Sequence, residues 1–325
     1  MTNEFADISV KGKVVRVPAV SVDGQTIVIS GRWLKIASIK GETWTAGNVV
    51  GDPESIIAKL TQDKSSADIF IFSQKLPHVR LEYPYHAEWD NVAAIPITTF
   101  ADWWENRLSQ VTRKNVRRSA KRGAIVKTTE FNDEFVNGIV RINNETPVRD
   151  GRPFWHFGKD FETVKRDYSA YLDRSAFLGA YFGDDLIGFI RIIDLGETAS
   201  IMQLLCKNTH YDKRPANALL AKAVELCADR GFKFLVYGKY IYGDNRESPL
   251  TEFKRRNGFE QFAIPSYFVP LTFKGRLAIK LHVHMGMRRL VPKPVTQLAR
   301  GFRRKLHHMK GRSGERIETE KEDAG

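Results

Sequence analysis

FLGAYFGDDLIGFIRIIDL, residues 177–195, is the stretch on which the reading of the fold turns. Two arms rich in β-branched and aromatic residues flank Gly183-Asp184-Asp185, the composition of an antiparallel hairpin closed by a tight turn. Downstream, SIMQLLC (200–206) reads as a strand, HYDKRP (210–215) as a loop, NALLAKAVELCADRG (217–231) as a helix and FKFLVYG (232–238) as a further strand. In that helix Leu219, Ala223, Leu226 and Cys227 fall on one face, and Gly231 is the stop. A hairpin followed by strand, helix and strand marks the chain as α/β (α+β).

Upstream of the hairpin, the pattern predicts a helix from about Phe100 to Arg122 stopped by Gly123, then a strand over Ala124–Thr128. A second helix, capped by Asn132-Asp133, runs through Ile142, and a third runs from Phe161 to about Arg174. Between these two, NNETPVRDGRPFWHFG (143–158) has no helical or strand period and reads as a structured loop. The first part of the chain opens with short strands around the Asp23-Gly24 turn, followed by a helix after Asp52-Pro53 and a buried strand at ADIFIFSQ (67–74). It carries no catalytic spacing. The expected organisation is a small α/β half over 1–97, a larger unit over 98–273 and a basic tail over 274–325.

LTEFKRRNGFE (250–260), with Phe253 and Gly258-Phe259, resembles the last motif of the GNAT fold, in which a short helix bearing an aromatic residue precedes a Gly-Phe turn. SQVTRKNVRRSAKRG (109–123) and NETPVRDGRPFWHFG (144–158) are similar, more narrowly, to FemAB-type acetyltransferase-domain proteins of bacterial envelope and exopolysaccharide systems. The resemblance spans residues 100–272. It implies a GNAT-like mixed sheet flanked by helices, with an activated acyl donor lodged where two parallel strands splay apart near 203 and 237. The implied reaction is attack by an amine of a sugar, peptide or envelope precursor on the carbonyl of acyl-CoA or aminoacyl-tRNA. It also implies that Tyr240 or Tyr242 protonates the leaving group. Gln203 stands where some relatives carry a glutamate base, and glutamine cannot do that work.

The residues themselves name further candidates. The loop opening helix 217–231, Asp212 to Asn217, has no glycine through which bare backbone amides approach a pyrophosphate. Lys213, Arg214 and Asn217 offer side chains instead, although an ordinary capped helix start with Pro215 in its first turn reads equally well. In helix 99–122, Arg113, Arg117 and Lys121 recur at four-residue steps beside a second row of Lys114, Arg118 and Arg122. This broad basic face calls for phosphate, for acidic residues elsewhere in the chain, or for solvent. In loop 143–158, Arg149, Arg152 and Trp155 suit recognition of a phosphate-bearing or sugar acceptor. His156 is a candidate general base, or a packing residue between Trp155 and Phe157, and Glu145 is a second candidate base. Lys239 follows a strand end, where α/β folds expose ligand groups.

The formal charge of +13 is localised: residues 1–97 hold 10 basic and 11 acidic groups, whereas Lys274–Arg312 holds 12 basic and none acidic. Within that tail, Val295, Leu298, Phe302, Leu306 and Met309 form an apolar stripe opposite arginines, so 295–310 suits the surface of an anionic membrane, RNA, or the body of the protein. Two cysteines without a CxxC pair fit a reducing compartment, so the expectation is a cytoplasmic protein, peripheral to the membrane. The eight histidines show no spacing such as HExxH, and no metal is expected. The competing reading is a non-catalytic module that binds RNA or anionic lipid through its basic patches.

Overall fold

Strand formers dominate the first forty positions, and in the computed structural model, which describes residues 4–10, 13–41, 50–62, 67–149, 151–243 and 247–285, they form four strands. These are β1 (Glu4–Val10), β2 (Lys13–Val22), β3 (Gln25–Ser30) and β4 (Ile36–Ile39). Asp23 and Gly24, with φ of 48° and 75°, make the two-residue turn between β2 and β3. The Asp52 carboxylate accepts from the Glu54 and Ser55 amides, opening α1 (Pro53–Gln62), and β5 (Ile69–Ser73) and β6 (His86–Pro96) follow.

α2 (Phe100–Asp102) runs into a wide turn over Trp103–Arg107, and α3 (Gln110–Lys121) leads to β7 (Ile125–Thr129) and α4 (Asp133–Asn143). A two-residue hairpin, β8 (Val148–Arg149) with β9 (Arg152–Pro153), precedes α5 (Phe161–Ser169). Then come β10 (Ser175–Phe182), β11 (Asp185–Asp194), β12 (Thr198–Cys206), α6 (Pro215–Asp229), β13 (Phe234–Val236), α7 (Pro249–Arg256), β14 (Glu260–Pro270) and α8 (Phe273–Lys280).

Twelve strands join one sheet in the order β1-β2-β3-β4-β5-β14-β6-β13-β12-β11-β10-β7. Side-chain alternation assigns its faces. On β10 to β12, Leu178, Ala180, Ile190, Ile192 and Ile201 face the core shared with α3 and α6, whereas Phe177, Leu186 and Phe189 face α4 and α5. A separate core under α1 joins Ile27, Ile29, Ile56, Leu60, Phe70 and Phe72. β14 leaves the second half of the chain to lie between β5 and β6, so the two halves share a continuous sheet.

Three expected elements differ. The helix over 100–122 is broken at Leu108, which is extended and buried, because the Ser109 hydroxyl caps a new helix by accepting from the Thr112 amide. The helix begun at Phe161 ends at Ser169, two residues before Tyr171 enters the left-handed region at φ 61°. The strand pair expected after α7 is the single strand β14. The amphipathic segment 295–310 lies outside the described residues, and no helix among those described is long and apolar enough to cross a membrane.

Trp103 locks this layout. It is 1% exposed, and its indole Nε1 donates to the Asn257 carbonyl at 3.1 Å, fastening the turn before α3 to the end of α7. Trp103→Ala is expected to cost about 3–5 kcal/mol in denaturant unfolding. Trp103→Phe, which keeps most of the packing, should cost much less.

Candidate functional site: a parted strand pair beside a basic cleft

β12 and β13 run parallel, but their ladder covers only Thr198–Ser200 against Phe234–Val236. Beyond that point each strand keeps its other neighbour. β12 continues on β11 as far as Cys206, with Met202 as the extra residue of a bulge. The chain after β13 stays on β6, where the Tyr237 amide donates to the Ala93 carbonyl and the Ala93 amide to the Gly238 carbonyl, both at 2.8 Å. The strands therefore part between Ile201–Cys206 on one side and Tyr237–Lys239 on the other.

The wall at Tyr237–Lys239 is backed by a side chain that the sequence did not single out. Lys254 of α7 is wholly buried, its Nζ donates to the Lys239 carbonyl at 2.6 Å, and it lies 4.6 Å and 5.0 Å from the ring centres of Tyr237 and Tyr242. No carboxylate pairs with it among the described residues, and burial pulls its pKa down to about 8. The Tyr242 hydroxyl packs over Gly238, a left-handed residue at φ 58° where any side chain would collide with it. Although Tyr242 is half exposed, burial of its hydroxyl end raises its pKa, so the phenol stays protonated at neutral pH. Tyr240 packs against the core instead, and its carbonyl accepts from the Thr251 hydroxyl. Lys239 pairs with Asp90.

Beside this wall, α3, α6 and α7 enclose a cleft of about 610 Å³, lined by Lys114, Asn115 and Arg118 of α3, Tyr211, Arg214 and Asn217 at the start of α6, and Phe253 and Arg256 of α7. Glu252, its one acidic lining residue, is bound to Arg255 and Arg256. Arg214 adopts φ 54° and its guanidinium stacks on Tyr211. Lys213 turns away, its ammonium over the Phe182 ring at 4.4 Å. Of the two basic rows on α3, the one facing the cleft is Lys114 and Arg118. Arg113 instead donates to the Trp104 and Glu105 carbonyls, and Arg117 lies over the Trp104 ring.

Loop 143–158 docks at the far end of β12. The Glu145 carboxylate accepts from the Asn208 amide at 2.7 Å, the Thr209 amide at 2.9 Å and the Thr209 hydroxyl at 2.8 Å. Burial alone would raise its pKa, but these donors and Arg149 outweigh burial and hold it below the ordinary value. A carboxylate so engaged is a poor base and a good clasp. Arg149 donates to the Cys206 carbonyl at 3.1 Å, tying the loop to the last residue of the strand. His156 is buried against Phe154 and Trp155, and burial, reinforced by Lys159, pulls its pKa down to about 4. It is thus neutral at pH 7, and its Nδ1 has no hydrogen-bond partner among the described residues. Arg152 is exposed, and Trp155 is exposed beneath the Lys159 ammonium.

The structure thus brings together Arg214 and Asn217 in the cleft, Tyr242 and Lys239 at the β13 wall, and Glu145 and Arg149 at the end of β12. Lys254 was hidden in the run KRR, which reads as a solvated patch. The available signal was its three-residue step from Thr251, which places both on the inward face of α7.

Because the folded-state pKa of Lys254 lies near 8 and that of the free side chain is 10.5, the unfolded chain binds more protons between those values. Stability therefore rises with pH through this window. Lys254→Met should be more stable than the parent at pH 7, by an amount on the order of 3 kcal/mol, and the difference should shrink as pH climbs from 8 to 10. Chemical unfolding of both proteins across this range measures it, and a pH-independent difference would contradict the assignment.

No protein-family model matches the sequence, and no curated protein matches it. Solved structures do match. The C-terminal domain of a putative lysylphosphatidylglycerol synthetase from Agrobacterium fabrum superposes with a TM-score of 0.54 at 11% identity, covering 82% of this chain and 88% of that one. FemX gives 0.53 at 11%, covering 80% and 88%, and L-PGS from Bacillus licheniformis gives 0.53 at 13%, covering 79% and 84%. The likeness takes in both halves of the sheet, and this chain has the GNAT-type fold in the arrangement seen in FemX and the lysylphosphatidylglycerol synthetases.

Proposed function

We propose that this protein is an acyltransferase that moves an aminoacyl group from tRNA to an amine. The observation that carries the proposal is the parted β12–β13 pair with a buried lysine behind one wall and a basic cleft beside it, on the fold of FemX and the lysylphosphatidylglycerol synthetases. The start of α6 favours tRNA over coenzyme A as donor. Pro215 has no N–H and the Asn217 and Ala218 amides are bonded to the Arg214 carbonyl, so few backbone amides remain to cradle a pyrophosphate. Phosphates would be held by the side chains of Arg214, Lys114 and Arg118, which suits a longer polyanion.

In this reading the ester carbonyl of the donor enters the parting of the strands. As the amine attacks, negative charge grows on the carbonyl oxygen, and the Lys254 ammonium, in a water-poor setting, stabilises it. When the C–O bond breaks, the leaving oxygen takes a proton from the Tyr242 hydroxyl, and the proton lost by the amine restores the phenol through solvent. Loop 143–158, clasped to the end of β12 by Glu145 and Arg149, forms the acceptor side, where Arg152 and Trp155 meet an amine-bearing sugar, peptide or envelope precursor. The basic sequence 295–310 is read as contact with an anionic membrane surface that presents such a precursor.

The test is mass spectrometry of acceptor amines after incubation with charged tRNA or acyl-CoA. Transfer from charged tRNA is expected. Arg118→Ala and Arg214→Ala should each raise the donor KM about tenfold with little change in kcat, and added salt should have the same effect. The parent should lose activity above pH 8 as Lys254 deprotonates, and Lys254→Met should lower kcat by about 100-fold or more and remove that pH dependence. Transfer from acyl-CoA alone would overturn the choice of donor, and transfer from neither would overturn the enzyme.

A further inference from the structure

Histidines cluster far from the parted strands, where the end of the described chain meets the start of β6. His86 and Glu88 sit two residues apart on β6 and so share a face of the strand. Against them lies the turn after α8, in which His282 takes the left-handed φ of 53° and its amide donates to the Ile279 carbonyl at 2.9 Å. That turn drives His284 inward, onto the rings of Phe268 and His86, with its side chain fully buried.

The His284 ring has a determined orientation. Its Nδ1 lies 3.3 Å from the Ala278 carbonyl, and a carbonyl only accepts, so Nδ1 carries the hydrogen. The other nitrogen, Nε2, then presents a lone pair, is buried, and has no hydrogen-bond partner among the described residues. It points toward the Glu88 carboxylate, 4.0 Å away, where two further imidazole nitrogens converge: His86 Nε2 at 3.4 Å and His282 Nδ1 at 3.9 Å. The ligand atoms of His86, Glu88 and His284 all lie within 4.8 Å of one another, and His282, close to Glu88 but outside that group, can complete a four-ligand set by turning its exposed ring inward. A lone pair aimed at a carboxylate is unfavourable unless something positive stands between them. A ring nitrogen whose partner nitrogen donates to a backbone carbonyl is also the usual support of a metal-bound histidine.

We propose that His86, Glu88, His282 and His284 form a site for a divalent transition-metal ion of the zinc class, which fastens the turn after α8 to β6. Three imidazoles and one carboxylate are a donor set suited to zinc, cobalt or nickel and unsuited to calcium or magnesium. Bonds of about 2.0–2.1 Å to a tetrahedral ion set ligand atoms about 3.4 Å apart. The His86–Glu88 pair already has that spacing, and the other two pairs to Glu88 are about half an ångström wider. The sequence conceals the site because its ligands come as HAE and HVH, from distant parts of the chain. The site ties His282 and His284, within the basic segment that starts at Lys274, to β6 of the sheet.

The experiment uses the full chain, stripped with a chelator and titrated with zinc in competition with a chromogenic chelator, and with cobalt followed by visible absorption. One saturable site, the absorption of four-coordinate cobalt and a raised melting temperature are expected. His86→Ala and His282→Ala, both at exposed positions, should each weaken zinc binding at least tenfold, and His284→Ala should do so as well. His78→Ala and a His307→Ala/His308→Ala double variant should leave binding unchanged. Unchanged affinity in His86→Ala and His282→Ala, loss confined to the His307/His308 variant, or no saturable binding would each overturn the proposal.

Discussion

β13 is a strand of three residues held from the wrong side, and the site depends on that constraint. β6 pairs with it at Ala94–Pro96, exchanges two further backbone bonds at Ala93, and then extends its grip through Asn91, whose side chain accepts from the Ile241 amide and donates to the Ile241 carbonyl. β6 in turn is held along His86–Ala94 by β14. β12 meanwhile follows β11 and bends at its Met202 bulge. Two parallel strands with different loyalties must separate, and the first half of the chain, which carries no candidate catalytic residue, is the anchor that makes them do so.

α7 faces both compartments at once. Glu252, Phe253 and Arg256 line the basic cleft, while Thr251 and Lys254 point into the protein behind the Tyr237–Lys239 wall. A wholly buried ammonium supported by one carbonyl and two ring faces is a poor bargain for stability, since replacing such a charge by a hydrophobe often stabilises a fold. Buried charges kept at a net cost tend to mark functional sites. That reasoning, more than any motif, separates Lys254 from its neighbours Arg255 and Arg256, which are exposed and paired with Glu252.

Much of the second half was legible from sequence, because its hairpin, its α6 periodicity and its caps act within a few residues of one another. The break at Leu108 was not, since a continuous apolar period conceals the Ser109 cap. β6 also escaped notice: its first half is polar and its second apolar, so neither shows the clean alternation of a half-buried strand, and its burial comes from distant β13 and β14. For the site, the glycine-free loop drew attention to Arg214 and Asn217, which line the cleft. Sequence spacing could not tell which basic row of α3 faces the cleft, nor that Glu145 spends its charge on the amides of Asn208 and Thr209. These are tertiary facts, and no local pattern encodes them.

The donor question turns on where the positive charge lies. A pyrophosphate needs a compact cradle of amides, and the α6 start withholds them through Pro215 and the bonds to the Arg214 carbonyl. What remains at the cleft is Lys114 and Arg118, one turn or about 6 Å apart along α3, neither with an ion-pair partner among the described residues, together with Arg214. The neighbouring Arg122, by contrast, is held by Asp212 at 2.8 Å. Charge spread along a helix matches phosphates spread along a strand, whereas charge gathered at a helix start matches a single phosphate group. The proposed nucleic-acid donor rests on this use of side chains from α3 and the α6 start in place of a cradle of amides.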